Sequence, residues 1–298
     1  MKKLLSPRIL ICALLLFISG TALAGWFYIE HSLEKNFQSF VTAHPELDIA
    51  CQDLRTNPLK QSIVLEQPVI RYSDTISLKA RRLTVQDLAV QNKIPVKMTL
   101  RAAALDIQKF FPSLELTTEI ERSGSKLSEI SGVLTYEYHP SENRLEISRI
   151  ILDNQDLGLF CANLTLSSLN IDYLMSLQNP FLLGAGLLGI SIDHLQAGYE
   201  DQGMIKRLAE LNGWDKQTGS SEDGQDMAPF LNGLSPDKST PVQNFLRAGK
   251  PLSVEFAPQN PVPFSRILTS QDQEAAAKLL NLEISNQKPA FCKLPDGQ

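Results

Sequence analysis

Polar and apolar positions alternate with a period of two along much of the chain. Val96, Met98, Leu100, Ala102 and Ala104 are interleaved with Lys97, Thr99, Arg101 and Ala103. Leu114, Leu116, Thr118 and Ile120 are interleaved with Glu115, Thr117, Glu119 and Glu121. Ile130, Gly132, Leu134, Tyr136 and Tyr138 are interleaved with Ser131, Thr135, Glu137 and His139. Successive side chains of a strand point to opposite faces, so each run predicts a strand with one face buried and one wet. Weaker runs at Ile63–Tyr72, Ile76–Val85, Leu145–Leu152 and Leu157–Leu166 predict four more. Turn signals fall between them at Ser73-Asp74, Asn92, Ser123-Gly124-Ser125 and Pro140-Ser141-Glu142-Asn143. No long helical pattern separates consecutive strands, which points to an antiparallel meander and away from βαβ crossovers.

The period changes in the second half. Ile171–Leu177 predicts one or two helical turns, and Gly189–Tyr199 a strand. Met204, Ile205, Leu208 and Leu211 share a helical face before Gly213. Asp215–Asp226 contains no large apolar residue and reads as an exposed flexible loop. Thr240-Pro241 opens a predicted helix through Leu246. A strand at Leu252, Val254 and Phe256, a helix over Gln271–Leu280 and a last strand through Leu282 and Ile284 complete the pattern. The fold class expected is α+β: a mostly meandering antiparallel sheet, with short helices concentrated in the C-terminal half.

The start of the chain has a third pattern. Lys2, Lys3 and Arg8 precede an uncharged stretch from Ile9 to Ile29, and Glu30 is the first charge after it. Those positions span roughly 30 Å as a helix, the thickness of a bilayer core. Residues 1–8 then form a cytoplasmic flank and 9–29 a single transmembrane anchor, with Ile9 and Leu16 in the apolar span. Trp26 and Ile29 lie at its outer boundary, where an aromatic residue meets the interface. The competing reading is a signal peptide cut after Ala24, within Ala22-Leu23-Ala24-Gly25. Apolar character continues to Ile29, which favours the anchor. Either reading exports the remainder of the chain: an amphipathic stalk over 30–45, a β-rich domain over 46–200, and a mixed region over 201–298 packed on the sheet. Leu33, Phe37, Phe40 and Val41 share one face of the stalk.

Composition narrows the function. The chain has 298 residues, 28 Lys+Arg and 33 Asp+Glu. Removing the three cations that precede residue 25 leaves 25 positive against 33 negative side chains, a net −8. An acidic domain is not built to bind nucleic acid, nor to cling to anionic headgroups by charge alone. Cys51, Cys161 and Cys292 fall in the exported part, where the residues allow either one bridge with a thiol left over or three buried thiols. Their spacing matches no zinc motif, and no cofactor is expected.

Three patterns invite a chemical reading. Gly184-Ala185-Gly186-Leu187-Leu188-Gly189 fits G-x-G-x-x-G, but Pro180 precedes it and a strand comes after it, the reverse of a dinucleotide site. A close-packed apolar turn is the expectation there. Ser123-Gly124-Ser125-Lys126 fits S-x-x-K, yet no Lys-Thr-Gly or Ser-Asp-Asn lies downstream and the motif sits between strands. His31, His44, His139 and His194 have no partner at helical metal spacing. The run Phe181–Ile192 is uncharged through Ile190 and too short to span a bilayer. A buried turn and strand is the first expectation; an apolar tip touching a membrane or lining a lipid groove is the second.

Three runs within residues 1–170, Ile63-Val64-Leu65-Glu66-Gln67-Pro68-Val69-Ile70, Ile76-Ser77-Leu78-Lys79-Ala80 and Leu83-Thr84-Val85-Gln86-Asp87-Leu88, follow the anchor and stalk. In these lines and in its organisation the chain resembles the AsmA-like group of bacterial envelope proteins. The resemblance implies an inner-membrane anchor, a periplasmic β-rich body and a role in lipid handling or envelope homeostasis. The later stretch, from Tyr199-Glu200-Asp201-Gln202-Gly203 to Phe256-Ala257-Pro258, is similar to uncharacterised anchored periplasmic proteins of Gram-negative bacteria. The function expected is therefore non-enzymatic. Acyl chains would lie on an apolar sheet face that includes Val96, Met98, Leu100, Leu114, Leu116, Ile120, Leu134 and Tyr136. The alternatives are an assembly module that docks a periplasmic protein and, third, a periplasmic hydrolase.

Overall fold

In a computed structural model, the described residues are 31–32, 34–35, 37–39, 41–42, 47–72, 76–92, 94–106, 129–176, 180–205, 207, 235–270 and 273–292. They form an antiparallel β structure with a few short helices, as the α+β pattern predicts. The strands are β1 (Leu47–Ala50), β2 (Asp53–Asn57), β3 (Ser62–Glu66), β4 (Val69–Tyr72), β5 (Ile76–Lys79), β6 (Arg82–Gln91), β7 (Ile94–Leu105), β8 (Ile130–His139), β9 (Arg144–Asn154), β10 (Gly158–Ser167), β11 (Ser191–Asp201), β12 (Leu252–Phe256), β13 (Val262–Pro263) and β14 (Leu282–Ser285). The helices are α1 (Ile171–Ser176), α2 (Pro180–Leu188), α3 (Pro236–Ala248), α4 (Phe264–Leu268) and α5 (Gln273–Leu279).

The main sheet runs β14-β12-β11-β10-β9-β8-β7-β6-β3-β2, with β13 paired to β11. From β6 to β12 it is a meander in sequence order. The jump from β3 to β6 arises because β4 and β5 leave to form a second sheet ordered β1-β4-β5. Gln67 turns the chain at φ 49°, and Lys79 still bridges to Asp106 at the end of β7. The runs Ile63–Tyr72 and Ile76–Val85 are thus each broken in two by a bend. The predicted turns at Asn92 and Pro140–Asn143 are present, and both asparagines adopt φ 50°, a left-handed conformation that asparagine tolerates well.

α3 begins one turn earlier than Thr240. Pro236 takes the first helical position and Pro241 lies inside the helix. The Thr240 hydroxyl donates to the carbonyl of Pro236, 2.7 Å away. Gly249, at φ 60°, ends the helix by donating its N–H to the Phe245 carbonyl.

The segment expected to be a buried apolar turn is instead helix α2, and Leu182, Leu187 and Leu188 on it are exposed. Close packing does not require Gly184, since a Cβ added there would meet nothing within 4 Å.

Cys161 and Cys292 form a disulfide with Cα atoms 5.4 Å apart, and Cys51 is free and exposed. Among the described residues no helix is long and apolar enough to cross a membrane. The span expected over 9–29, with Ile9, Leu16, Trp26 and Ile29, lies outside them. So do the strand carrying Leu114, Leu116 and Ile120, the Ser123–Lys126 motif, and the loop Asp215–Asp226.

Candidate functional site: an apolar sheet face

Strand register decides what each face of the main sheet carries. One row of directly opposed residues runs Ile63, Val85, Leu100, Leu134, Ile150, Ala162, Ala197, Val254, Ile284 from β3 to β14. The row two positions away runs Leu54, Leu65, Leu83, Ala102, Gly132, Leu152, Phe160, Tyr199, Leu252. Side chains two apart on a strand share a face, so both rows lie on the same side. No charged residue interrupts either of them. At about 4.8 Å per strand the first row is about 38 Å long. Ala102, Gly132, Ala162 and Ala197 keep the middle of the face low between larger neighbours.

The row between them faces the other way. It runs Val64, Thr84, Arg101, Val133, Ile151, Cys161, Gly198, Ser253, Ser285. This face is polar at both ends. Its apolar centre, Val133, Ile151, Leu159 and Cys161, forms a buried cluster with Cys292 against which Phe291 packs. The C-terminal segment therefore lies across the apolar centre of that row. The β2–β8 side of the polar face is a broad, shallow basin that includes Arg55, Lys60, Arg82 and Arg101. Three of these cations are engaged: Arg55 by Asp53, Arg82 by Glu66 and Arg101 by Gln86. The Asp53 carboxylate holds the Arg55 guanidinium above its usual range, chiefly by their hydrogen bond.

The apolar face is covered by helix at its ends. Near β3 and β6, Phe37 is buried with Ile63, Leu65, Leu83 and Val85, so the helical residues between 31 and 42 are seated on the sheet. At the other end the ring of Phe245 on α3 meets Tyr199 edge to face, with centroids 5.7 Å apart. The middle carries Leu100, Leu134, Ile150 and Phe160, all half-buried, and Leu152, which is 37 % exposed. Of the residues expected on this face, Val96, Met98 and Leu100 line it from β7, and Leu134 and Tyr136 from β8. Met98 stands opposite Tyr136, and Leu100 opposite Leu134. The Tyr136 hydroxyl donates to the Pro95 carbonyl at 3.1 Å, and burial pushes its pKa up to about 12.

The continuation across β9–β11 has no clean alternating signal in the sequence, whereas β12 (Leu252, Val254, Phe256) and β14 (Leu282, Ile284) alternate plainly. A bulge falls between Thr135 and Tyr136 in the β8–β9 pairing, and another between Ala162 and Leu164 in the β9–β10 pairing. Ile150-Ile151 and Phe160-Cys161 put apolar side chains on both faces, which erases the alternation there.

At one end of β10 the chain enters α1 and α2. The buried Tyr138 hydroxyl donates to the Leu169 carbonyl at 3.0 Å and accepts the Ile171 N–H at 3.3 Å, fixing the start of α1 to β8. Tyr138→Phe is expected to cost about 1–2 kcal/mol, because it leaves buried backbone groups unpaired. A lowered urea midpoint, with faster amide exchange over 171–174, is the check.

The chemical motifs do not converge. His194 Nε2 lies 3.4 Å from Glu255 Oε1 on the polar face, and Gln196 donates to the other oxygen of that carboxylate. Ser167 is committed to Asp193, at 2.5 Å. Among the described residues no three His, Cys, Asp or Glu side chains are grouped to hold a metal. Gly184 and Gly186 lie within α2, with no strand leading into them.

No curated protein matches this chain. A protein-family model described only as "Uncharacterized protein" matches residues 152–287. That stretch starts in β9 and takes in β10–β14 and α1–α5, the half of the sheet that carries the exposed Leu152, Phe160 and the α2 helix.

Proposed function

We propose that this is a non-enzymatic, membrane-anchored envelope protein that holds lipid acyl chains on the apolar face of its main sheet. The observation that carries the reading is the pair of uninterrupted apolar rows, with Leu152 exposed at their middle. An apolar trough of this kind binds by removing hydrocarbon from water, at roughly 25 cal/mol per Å². The strand pattern and leader resemble those of AsmA-like proteins, and the Cys161–Cys292 bridge supports an oxidising compartment such as the periplasm. The anchor over residues 9–29 would hold the body beside its source of lipid. Glu255 and His194 lie on the opposite face and take no part.

The test is a photoreactive amino acid placed at Leu152 in the full-length protein in cells. The expected result is an adduct with the mass of a lipid, and none from the same probe at Thr135 on the polar face. An adduct with another polypeptide at position 152 would replace this reading with the assembly-module one. A probe at 152 that reacts only within its own chain would remove both.

A further inference from the structure

We propose that α2, with α1 and α4, is a membrane-inserting tip, and that its ligand is the acyl region of a lipid bilayer. The three helices lie together: α2 packs against both α1 and α4. From Pro180 to Ile190 no side chain is polar. Among the described side chains, Leu182, Gly184, Ala185, Leu187, Leu188 and Gly189 are exposed. At about 100° per residue these positions are spread over roughly 220° of the helix circumference.

That breadth separates two kinds of partner. A helix that docks into a protein groove shows one apolar stripe, roughly 100° wide, and a polar back. α2 has no polar back. An apolar helix exposed on most of its circumference suits a medium that surrounds it, and the bilayer interior is such a medium. The rim of the tip fits the same environment. Tyr173 on α1 is 53 % exposed, and Arg266 and Leu268 on α4 are exposed as well. Tyrosine and arginine favour the headgroup level, where a ring or a guanidinium finds water and phosphate above hydrocarbon. The helix is about 13 Å long, short enough to be immersed in one leaflet with its rim at the headgroup level. The exported part is acidic, so the contact rests on apolar burial and not on attraction to anionic lipid.

This inference does not depend on the acyl-chain reading of the sheet face. The tip also continues that face: Leu164 and Leu166 on β10 lie on it, and the same strand leads directly to α1 and α2.

The experiment uses the full chain, carrying Cys12→Ser and Cys51→Ser, reconstituted in vesicles of phosphatidylethanolamine and phosphatidylglycerol. An environment-sensitive fluorophore is attached at Leu187→Cys or, as control, at Gln155→Cys. Gln155 lies in the β9–β10 turn, at the opposite end of β10 and about 30 Å away along the strand. The expected result is blue-shifted emission at 187, quenched by lipids carrying a nitroxide near the headgroup end of the chain, with water-like, unquenched emission at 155. The added substitutions Leu182→Glu and Leu188→Glu should abolish the shift and the quenching. Water-like emission at 187 overturns the proposal. So does a blue shift without lipid quenching that grows with protein density, which would mark contact between copies of the chain. A lipid adduct at Leu152 together with water-like emission at 187 would sink the tip and leave the sheet-face reading standing.

Discussion

Replacing Cys161 with serine is expected to lower the unfolding free energy by about 4 kcal/mol. The bridge joins positions 131 residues apart. In the chain-entropy account, closing a loop of that size restrains the unfolded chain by nearly 5 kcal/mol at 25 °C. Bridges commonly deliver less than this limiting value, which puts the expected loss at about 4 kcal/mol. Both cysteines are buried, in one cluster with Val133, Ile151 and Leu159. The serine hydroxyl would replace a sulfur that is already in contact with the Gly198 carbonyl, at 3.5 Å. Without the covalent tie, the segment after β14 keeps only its noncovalent hold, including the Lys288–Glu200 pair, which is solvent-accessible and worth little. Urea unfolding of the wild type with and without reductant, beside Cys161→Ser and Cys292→Ser, measures the effect. The three perturbed forms should share a lowered midpoint. An unchanged midpoint in reductant would mean that the tie contributes nothing to stability.

Gly158→Ala should be nearly as damaging, at about 3–4 kcal/mol. Gly158 opens β10 at φ 125°, a conformation that costs an L-residue on the order of 1–3 kcal/mol. Space is the second obstacle. A Cβ there would lie 2.3 Å from the carbonyl oxygen of Glu200 and 3.2 Å from the Cα of Asp201. Both are backbone atoms of β11, so no side-chain rotation relieves the clash. The Gly158–Asp201 pairing must part, and overpacking of this kind costs about 1–3 kcal/mol more. Gly184→Ala is the internal comparison, since open space surrounds that position. The difference between the two urea midpoints reads the backbone and steric costs together with the helix propensity that Gly184→Ala gains. Equal midpoints would show that β10 and β11 absorb the methyl group.

The fold is most legible in the sequence where one face of a strand is wet and the other dry. β7 alternates from Val96 to Leu100 and β8 does so apart from Val133, and the residues expected on their apolar side, Val96, Met98, Leu100, Leu134 and Tyr136, are on one face in the structure. Legibility fades where both faces are apolar. Ile150, Ile151, Phe160 and Cys161 look like undifferentiated core, because the strap carrying Phe291 and Cys292 dries the second face from more than a hundred residues away. Periodicity is local and cannot see that strap. The bends at Gln67 and near Ala80 are hidden as well, since the alternation passes through them while the chain changes sheet. α2 escapes for a related reason. Apolar residues with three glycines suggest close packing, and only the three-dimensional arrangement places Leu182, Leu187 and Leu188 outside. The candidate site is therefore legible in part: β7, β8, β12 and β14 from pattern, the β9–β11 centre only from register.

The covalent tie also determines where a pull on the carboxyl end is felt. Tension applied beyond Cys292 passes through sulfur into β10, in the middle of the sheet, and bypasses β11–β14 and every helix from α1 to α5. The strands at that margin are spared from peeling one at a time. Anything that tugged on the tail would have to shear a central strand from two neighbours at once.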